Sequence, residues 1–500
     1  MEKTPFRTVY TKKSNFVTQS FFTDTIPIDY GGYGNFVIPR HGDFITRMYL
    51  LIDYPSSAST TVNQAHAMID YIEFIVGGKI IQRETGETLN MRVNLTETDN
   101  DTFSPNQLYR MLGGGPQYPF TDTVQYPRPY RLHVPLPMWF AGDPTLAFPL
   151  AALRYQEFEV NVGFRAANRW GGVDTGVSGS NVCLHIEYGY MDNEVLETFI
   201  KQPLLYPVEQ FQVLEPPAYT GGDSVIYIPS QDYTTSEGTS FINPVKALFV
   251  LYKDLATETT NIFDYSRGKT FAQLTSPDDN DFLNSMEVVL DGQVMLPEEA
   301  GTFELLRGYE YYAHFPGCTQ RIFFGEDQRY YSYIYALSFC QDPMNKKDPN
   351  GSINFSVVKN PSIKLDSKKR GFDFTIQGSI FPNVDNGYLV FQSIRNTGDG
   401  NTESIELDIG DFIEYENYLK NVKVTGVYNP AVPLYTTNLK VVDFPTELGN
   451  PDIGRNYEIV KANIGTRIRV YALSVNFLYI ENGVARLLFD ASENNFPKFP

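Results

Sequence analysis

The chain has 500 residues, of which 42% are hydrophobic and 20% are charged. This balance excludes a disordered chain, and the length exceeds the roughly 250–300 residues that a single hydrophobic core fills. A net charge of −19 argues against a surface that binds nucleic acid directly, because phosphate contacts need clustered Lys and Arg. We therefore expect two domains of roughly 200–250 residues and no direct nucleic acid partner.

The first residues carry the opposite charge from the rest of the chain. Lys3, Arg7, Lys12 and Lys13 face a single acid, Glu2. A basic arm of this kind, assigned to residues 1–20, can dock on an anionic membrane or an acidic protein partner. The alternative interpretation is a solvated terminus whose charges have no partner.

The composition and the hydrophobic pattern both favour an all-β fold. Tyr and Phe are frequent at 34 and 36 residues, and Gly and Pro, which punctuate turns, number 38 and 32. Apolar residues alternate with polar ones in several segments, each of which predicts a strand with one buried face. The main predicted strands, in chain order, are 72–76 with a Gly77-Gly78 turn into 80–81, then 158–164, 182–190, 331–339 and 467–480.

Few helices are expected. Ser104-Pro105 can begin one that Gly113 ends, and Asp192 or Asn193 can cap another that runs to Phe199. The strands are not separated by the helices of 10–15 residues that a parallel α/β sheet requires, so the class remains all-β.

A domain boundary is predicted where proline-rich steps interrupt the alternation at 201–220. The resulting domains are 21–215 and 216–500, with an insertion of loops around 382–464 in the second. The two halves also resemble each other weakly. Phe74–Ile81 and Val288–Met295 both read as a strand, a turn containing Gly and an aliphatic return.

Motifs for catalysis, cofactors and metals are not apparent. The five histidines lack metal-binding spacing, and Cys183, Cys318 and Cys340 form neither a CxxC pair nor a disulfide framework. The acidic loops at 278–281 and 399–403 do not complete a calcium-binding pattern. We expect no catalytic residue, no cofactor and no metal, so the chain is not expected to be an enzyme. The sequence also shows no apolar signal-peptide region, which predicts synthesis in the cytosol.

Several segments, in a shared order, resemble the major capsid proteins of nucleocytoplasmic large DNA viruses. The most similar is Val134-Pro-Leu-Pro-Met-Trp-Phe140, followed by Leu146-Ala-Phe-Pro-Leu-Ala-Ala-Leu-Arg-Tyr155. The others are the opening Thr4–Phe16, the strand at 38–50, the Gly-Gly hairpin at 69–81, Asn243–Phe249, Tyr333–Phe339, Asn350–Ser356, and the closing strands at 470–478 and 482–487.

This resemblance implies two tandem jelly-roll β-sandwiches and assembly of three chains into a pseudo-hexagonal capsomer. It further implies an icosahedral shell of neighbouring capsomers, assembled in the host cytoplasm. The basic arm would then meet minor capsid proteins or an internal membrane. Two alternatives remain: a poxvirus-type double jelly-roll scaffold that acts transiently in assembly, and a carbohydrate-binding β-sandwich. The second is disfavoured by the missing secretion signal and by a Trp count of two.

Overall fold

The computed structural model describes most of two β-sandwiches. The described residues are 16–53, 63–96, 111–112, 131–141, 143–167, 179–215, 222–227, 241–254, 262–263, 265, 283–296, 313–315, 321–324, 328–331, 334–347, 350–358, 361–367 and 466–489, together with strand backbone between 371 and 460.

The first sandwich consists of two antiparallel sheets. Sheet A contains β1 (Phe16–Phe22), β2 (Ile26–Asp29), β4 (Phe44–Asp53), β7 (Arg131–Pro135) and β9 (Gly179–Met191). Sheet B contains β3 (Tyr33–Val37), β5 (Ile69–Val76), β6 (Lys79–Thr85) and β8 (Phe158–Phe164). The order in sheet A is β1-β9-β4-β7, and β2 also pairs with β9, so β1 and β2 act as one interrupted strand. The order in sheet B is β3-β8-β5-β6.

The second sandwich has the same arrangement. Sheet C contains β10 (Leu204–Leu214), β12 (Pro244–Asp254), β17 (Ile334–Ser338), β18 (Ile353–Asn354), β28 (Thr466–Glu481) and β29 (Val484–Leu487). Sheet D contains β11 (Gly222–Tyr227), β13 (Leu283–Leu290), β14 (Gln293–Leu296) and β19 (Ser362–Ser367). Their orders are β10-β28-β12-β17 and β11-β19-β13-β14. A core that includes Val250, Val288, Ile363 and Val470 lies between the two sheets.

The two sandwiches are repeats of one topology. With β1 and β2 counted together, each has eight main strands, ordered 1-8-3-6 in one sheet and 2-7-4-5 in the other. This antiparallel arrangement of two sheets is a jelly roll, so the predicted all-β double jelly roll is confirmed.

Additional strands lie in two long connections of the second sandwich. Between β14 and β17 the chain forms a hairpin of β15 (Arg321–Phe324) and β16 (Gln328–Tyr331). Between β19 and β28 it forms a separate eight-stranded sheet. Its strands are β20 (Gly371–Ile376), β21 (Phe381–Asn383), β22 (Tyr388–Val390), β23 (Ile394–Asn396), β24 (Phe412–Tyr415), β25 (Leu419–Tyr428), β26 (Leu439–Asp443) and β27 (Asn456–Val460).

Three α-helices lie in the described part of the chain: α1 (Gln64–Met68), α2 (Gly86–Thr96) and α3 (Asn193–Lys201). Asp192 occupies the predicted N-cap position of α3, but its side chain makes no capping hydrogen bond to the helix. The helix predicted at 104–113 lies almost entirely outside the described residues. Helix α2 starts against α1, where a Cβ on Gly86 would lie 2.0 Å from the carbonyl oxygen of His66. Only glycine permits this approach, which fixes α2 beside the edge strand β6.

The structure corrects the predicted boundaries at two points. The sequence places residues 16–20 in the arm, but they form backbone pairs with β9 as part of β1. It places Leu204–Leu214 in the first domain, but all eleven of these residues pair with β28. The reason is the same in both cases, since an edge strand belongs to the sheet that satisfies its backbone hydrogen bonds.

The strand predictions were confirmed where one sheet face is buried. Phe158, Val160, Val162 and Phe164 all point into the first core, as their alternation indicated. Strand β17 is buried on both faces, where the alternation predicted one buried face, because Ile334 and Ala336 are buried as well as Tyr335 and Leu337. Sheet C is covered on both faces.

Candidate functional site: the contact between the two sandwiches

The first sandwich covers the outer face of sheet C. Phe249 of β12 and Tyr471 and Leu473 of β28 lie on this face, and all three are fully buried. They belong to the same hydrophobic cluster as the interior of the first sandwich, whereas the interior of the second sandwich forms a separate cluster. One continuous apolar body therefore joins the two sandwiches.

Arg92 of α2 is the centre of a buried ion network at this contact. Its guanidinium donates to Glu84 at 3.1 Å and to Glu209 of β10 at 2.8 Å, and it lies 4.7 Å from the centre of the Phe211 ring. Lys246 of β12 donates to the other oxygen of Glu209 at 2.7 Å. Four charged side chains from both sandwiches are thus paired out of contact with water.

These pairings keep Arg92 and Glu209 ionised. Burial opposes the charge on Arg92, but Glu84 and Glu209 outweigh it and raise the pKa of Arg92 above its usual value. Burial likewise opposes ionisation of Glu209, yet Arg92 and Lys246 lower its pKa. The pair of Arg92 with Glu209 is the one that joins the two sandwiches, and each of these two groups favours the charged form of the other.

Glu87 of α2 is the centre of a second buried network at the same contact between the two sandwiches. It lies in the first turn of α2, where the helix dipole favours a carboxylate. Arg469 donates to it at 2.6 Å, and the hydroxyl groups of Tyr471 and Tyr265 donate to the same carboxyl group. Burial opposes its ionisation, but Arg469, Lys253 and the hydrogen bonds lower the pKa of Glu87 to about 2.

Sequence reasoning did not identify these residues. The only signal available was a charge inside an apolar strand, as in Val245-Lys246-Ala247, because such a charge is buried only when paired. The partners come from positions up to 384 residues apart in the chain, and no spacing rule connects them.

The residues predicted for external contacts, Lys3, Arg7, Lys12 and Lys13, lie outside the described residues. Among the residues that the structure describes, no cluster of His, Cys, Asp and Glu could hold a metal ion. No helix in the same part of the chain is long and apolar enough to span a membrane. Cys183 and Cys340 are buried free thiols.

Sheet A presents the equivalent of the buried face of sheet C, but this face is not covered in the same way. Strands β4 and β12 share a bulge, between Ile45 and Arg47 in one and between Val245 and Ala247 in the other. With the bulges aligned, Tyr49, His185 and Phe22 take the places of Phe249, Tyr471 and Val213.

The three aromatic rings of sheet A form a stack at the surface. His185 lies between Tyr49 and Phe22, with ring centroids 5.6 Å and 4.7 Å away. Phe22 is 64% exposed. The chain therefore has two equivalent sheet faces, one buried against its own first sandwich and one with aromatic groups open to solvent.

The chain is similar to known viral capsid proteins. Residues 4–195 match the family described as major capsid protein N-terminus. Capsid protein 1 of Acanthamoeba polyphaga mimivirus is 26% identical over 336 residues, covering 61% of this chain and 53% of that protein. The major capsid protein of Paramecium bursaria Chlorella virus 1 is 25% identical over 413 residues, covering 76% and 86%. The predicted resemblance to major capsid proteins of large DNA viruses is confirmed.

Solved capsid proteins share the fold along nearly the whole chain. The chain in the quasi-atomic model of the PBCV-1 virus capsid superposes with a TM-score of 0.60 at 18% identity, covering 98% of this chain and 100% of that one. The Faustovirus major capsid protein gives a TM-score of 0.54 at 11% identity, covering 96% and 93%. The sequence matches are shorter. They span 53% of the mimivirus protein and 59% of the Pyramimonas orientalis virus major capsid protein.

Replacing Arg92 by Met leaves Glu84 and Glu209 buried without their shared cation. We expect the free energy of unfolding to fall by about 3–5 kcal/mol, which urea denaturation followed by tyrosine fluorescence measures. The matched control is Arg131→Met, whose pair with Asp53 is 44% and 38% exposed. A loss there of about 1 kcal/mol or less is expected. Equal losses in the two variants would contradict a structural role for the Arg92 network.

The Glu87 network gives the stability a defined dependence on pH. The folded pKa of about 2 lies below the ordinary value of 4.5, so the contribution is complete above pH 4.5 and is lost as the pH falls towards 2. The slope from this group is at most about 1.4 kcal/mol per pH unit. In Glu87→Gln the urea midpoint should be lower at pH 7, and its fall between pH 4.5 and 2 should be shallower. An unchanged slope would show that Glu87 does not ionise inside the fold.

Proposed function

We propose that this chain is a major capsid protein that trimerises into pseudo-hexagonal capsomers and builds the icosahedral shell of a large double-stranded DNA virus. The observation that carries the proposal is the pair of equivalent sheet faces. One is buried between the two sandwiches of the chain, and the other presents an aromatic stack formed by Phe22, His185 and Tyr49. The relatives named as capsid proteins support the same role.

The repeat within the chain explains why three copies are proposed. The second sandwich places its sheet C face on the first, which is a head-to-tail contact between two similar units. If each chain offers its sheet A face to the second sandwich of the next chain, the same type of contact recurs between chains. Three chains then close a ring of six similar sandwiches, with contacts alternating within and between chains. The outline of such a ring is close to hexagonal and packs against neighbouring capsomers.

The role needs no catalytic group. Burial of apolar and aromatic surface drives association, and charged pairs select the partner. The acidic surface implied by a net charge of −19 also favours a shell protein that does not contact the genome directly. Assembly in the host cytoplasm and a permanent place in the virion are part of the proposal. A transient scaffold would be absent from purified mature virions, which quantitative mass spectrometry of such virions determines.

The oligomeric state of the purified full-length chain tests the proposal. Light scattering should give three times the chain mass of 56.8 kDa, and electron microscopy should show particles with hexagonal outlines. Tyr49→Glu introduces a charge on the sheet A face and should raise the trimer dissociation constant about tenfold or more, because tyrosines are common hot spots. Tyr33→Glu is the control, since Tyr33 is 73% exposed on β3 of the other sheet. A stable monomer at micromolar concentration would overturn the proposal.

We propose further that the N-terminal arm contacts minor capsid proteins or an internal membrane. Lys3, Arg7, Lys12 and Lys13 support this, because each basic residue near an anionic surface contributes about 1 kcal/mol of attraction. The full chain should sediment with vesicles that contain phosphatidylserine, and replacing the four residues by Gln should abolish this without changing the trimer. Sedimentation that is equal for both chains would count against a membrane contact and leave the minor capsid proteins as the partner.

A further inference from the structure

Two edge strands, one in each sandwich, have exposed apolar residues. Strands at the equivalent positions of the other sandwich contact each other inside the chain. Strand β1 is the edge of sheet A, and its Val17 is 67% exposed. Strand β14 is the edge of sheet D, and its Val294 and Met295 are 48% and 45% exposed. An edge strand with exposed apolar side chains is a surface prepared for another chain.

The residues of β1 have direct counterparts in β10. Val17 and Gln19 of β1 correspond to Val208 and Gln210 of β10, from the alignment that places Phe22 with Val213. The two strands therefore share a Val-x-Gln sequence at the same position of the jelly roll. The counterparts in β10 are buried, with exposed fractions of 0% for Val208 and 2% for Gln210.

The residues of β14 correspond in the same way to those of β6. Each of these strands follows a two-residue turn with both backbone φ angles positive, Gly77-Gly78 before β6 and Asp291-Gly292 before β14. Each hairpin also has a bulge in the same place, so Ile80 and Ile81 of β6 correspond to Val294 and Met295. The bulge residue is the one left without a partner in its own hairpin.

The two buried counterparts contact each other inside the chain. The Gln210 side chain donates a hydrogen bond from Nε2 to the backbone carbonyl of Ile81 at 2.6 Å. Because Ile81 is the bulge residue, its carbonyl is free to accept this bond. The contact between β10 and β6 is part of the joint between the first and second sandwiches, next to the ion pair of Glu209 with Arg92.

We propose that β14 of one copy docks on β1 of the next copy, with Gln19 donating to the backbone carbonyl of Met295 and with Val17 covered by the hairpin. The contact repeats between chains an arrangement found within one chain, in which Gln210 donates to the carbonyl of Ile81 and Val208 is buried beside it. It rests on the proposed head-to-tail trimer, and it names the residues that would join one copy to the next. The partner is a second copy of this chain, since its β14 hairpin has the same turn and bulge as the hairpin that β10 already accepts.

Crosslinking between copies tests the contact directly. Gln19→Cys and Met295→Cys chains are made separately, mixed after dissociation and reassembly, and treated with a short bis-maleimide reagent. The mixture should give a covalent pair of chains, whereas each variant alone should not exceed the wild-type background. The double variant should give a covalently closed trimer. Every chain also carries Cys318→Ser, and the remaining native Cys183 and Cys340 are buried and contribute little to that background.

Charge substitution gives an independent measurement on the same residues. Gln19→Glu places a carboxylate against the proposed carbonyl acceptor, and Met295→Asp places a charge in the apolar part of the contact. Each should raise the dissociation constant of the trimer about tenfold or more. Val484→Asp is the matched control, because Val484 is 44% exposed on β29 and has no part in the contact. Its trimer should match the wild type.

The outcomes separate this contact from the capsid role itself. If the wild type is a trimer but the crosslink and both charge effects are absent, the β1 to β14 contact is wrong and the proposed function stands. If the wild type is a monomer, both proposals are overturned. A crosslink between copies, together with weakened trimers in Gln19→Glu and Met295→Asp, is the result that we expect.

Discussion

The arrangement of the two sandwiches depends on the ion network around Arg92. Burying a guanidinium between protein layers is unfavourable unless its hydrogen bonds are satisfied, and here Glu84 from the first sandwich and Glu209 from the second share that task. An apolar contact alone would tolerate sliding of one sandwich over the other. A displacement of even one residue would separate Arg92 of the first sandwich from Glu209 of the second. The network therefore fixes the position of one sandwich relative to the other, in addition to stabilising the contact between them.

The contact between the two sandwiches also explains how sheet C differs from sheet A. Sheet C lies between sheet D and the first sandwich, so both sides of β12 are apolar and the strand reads as a nearly unbroken hydrophobic run from Ala247 to Tyr252. Strand β4 has a bulge at the equivalent position and a similar length, but its Arg47 is exposed on the outer face of sheet A. Two copies of one topology thus have different outer faces: that of sheet C is covered within the chain, and that of sheet A is the face proposed to contact another copy.

Much of this fold was predictable from local patterns, and the joint was not. Alternation located β8 and β9 because each of those strands has one face towards the core. The two-residue turn at Gly77-Gly78 located a hairpin because positive φ angles at both positions favour glycine. The boundary near 215 was misplaced because β10 follows α3 directly, and only its pairing with β28 reveals that it opens the second sandwich. Glu87 and Arg469 are separated by most of the chain, and a pairing of that kind is a property of the packed state.

The sheet formed by β20–β27 enters and leaves the second sandwich through β19 and β28, which belong to opposite sheets of the same jelly roll. Both attachment strands are held in register by their own neighbours, β13 on one side and β10 and β12 on the other. The free-energy cost of closing a connection, which is entropic, rises by only about 0.6 kcal/mol for each doubling of its length. Evolution can therefore lengthen, shorten or exchange this segment at little thermodynamic cost to the two sandwiches. In the proposed capsid, the outer appearance of the particle would be free to diverge while its lattice is retained.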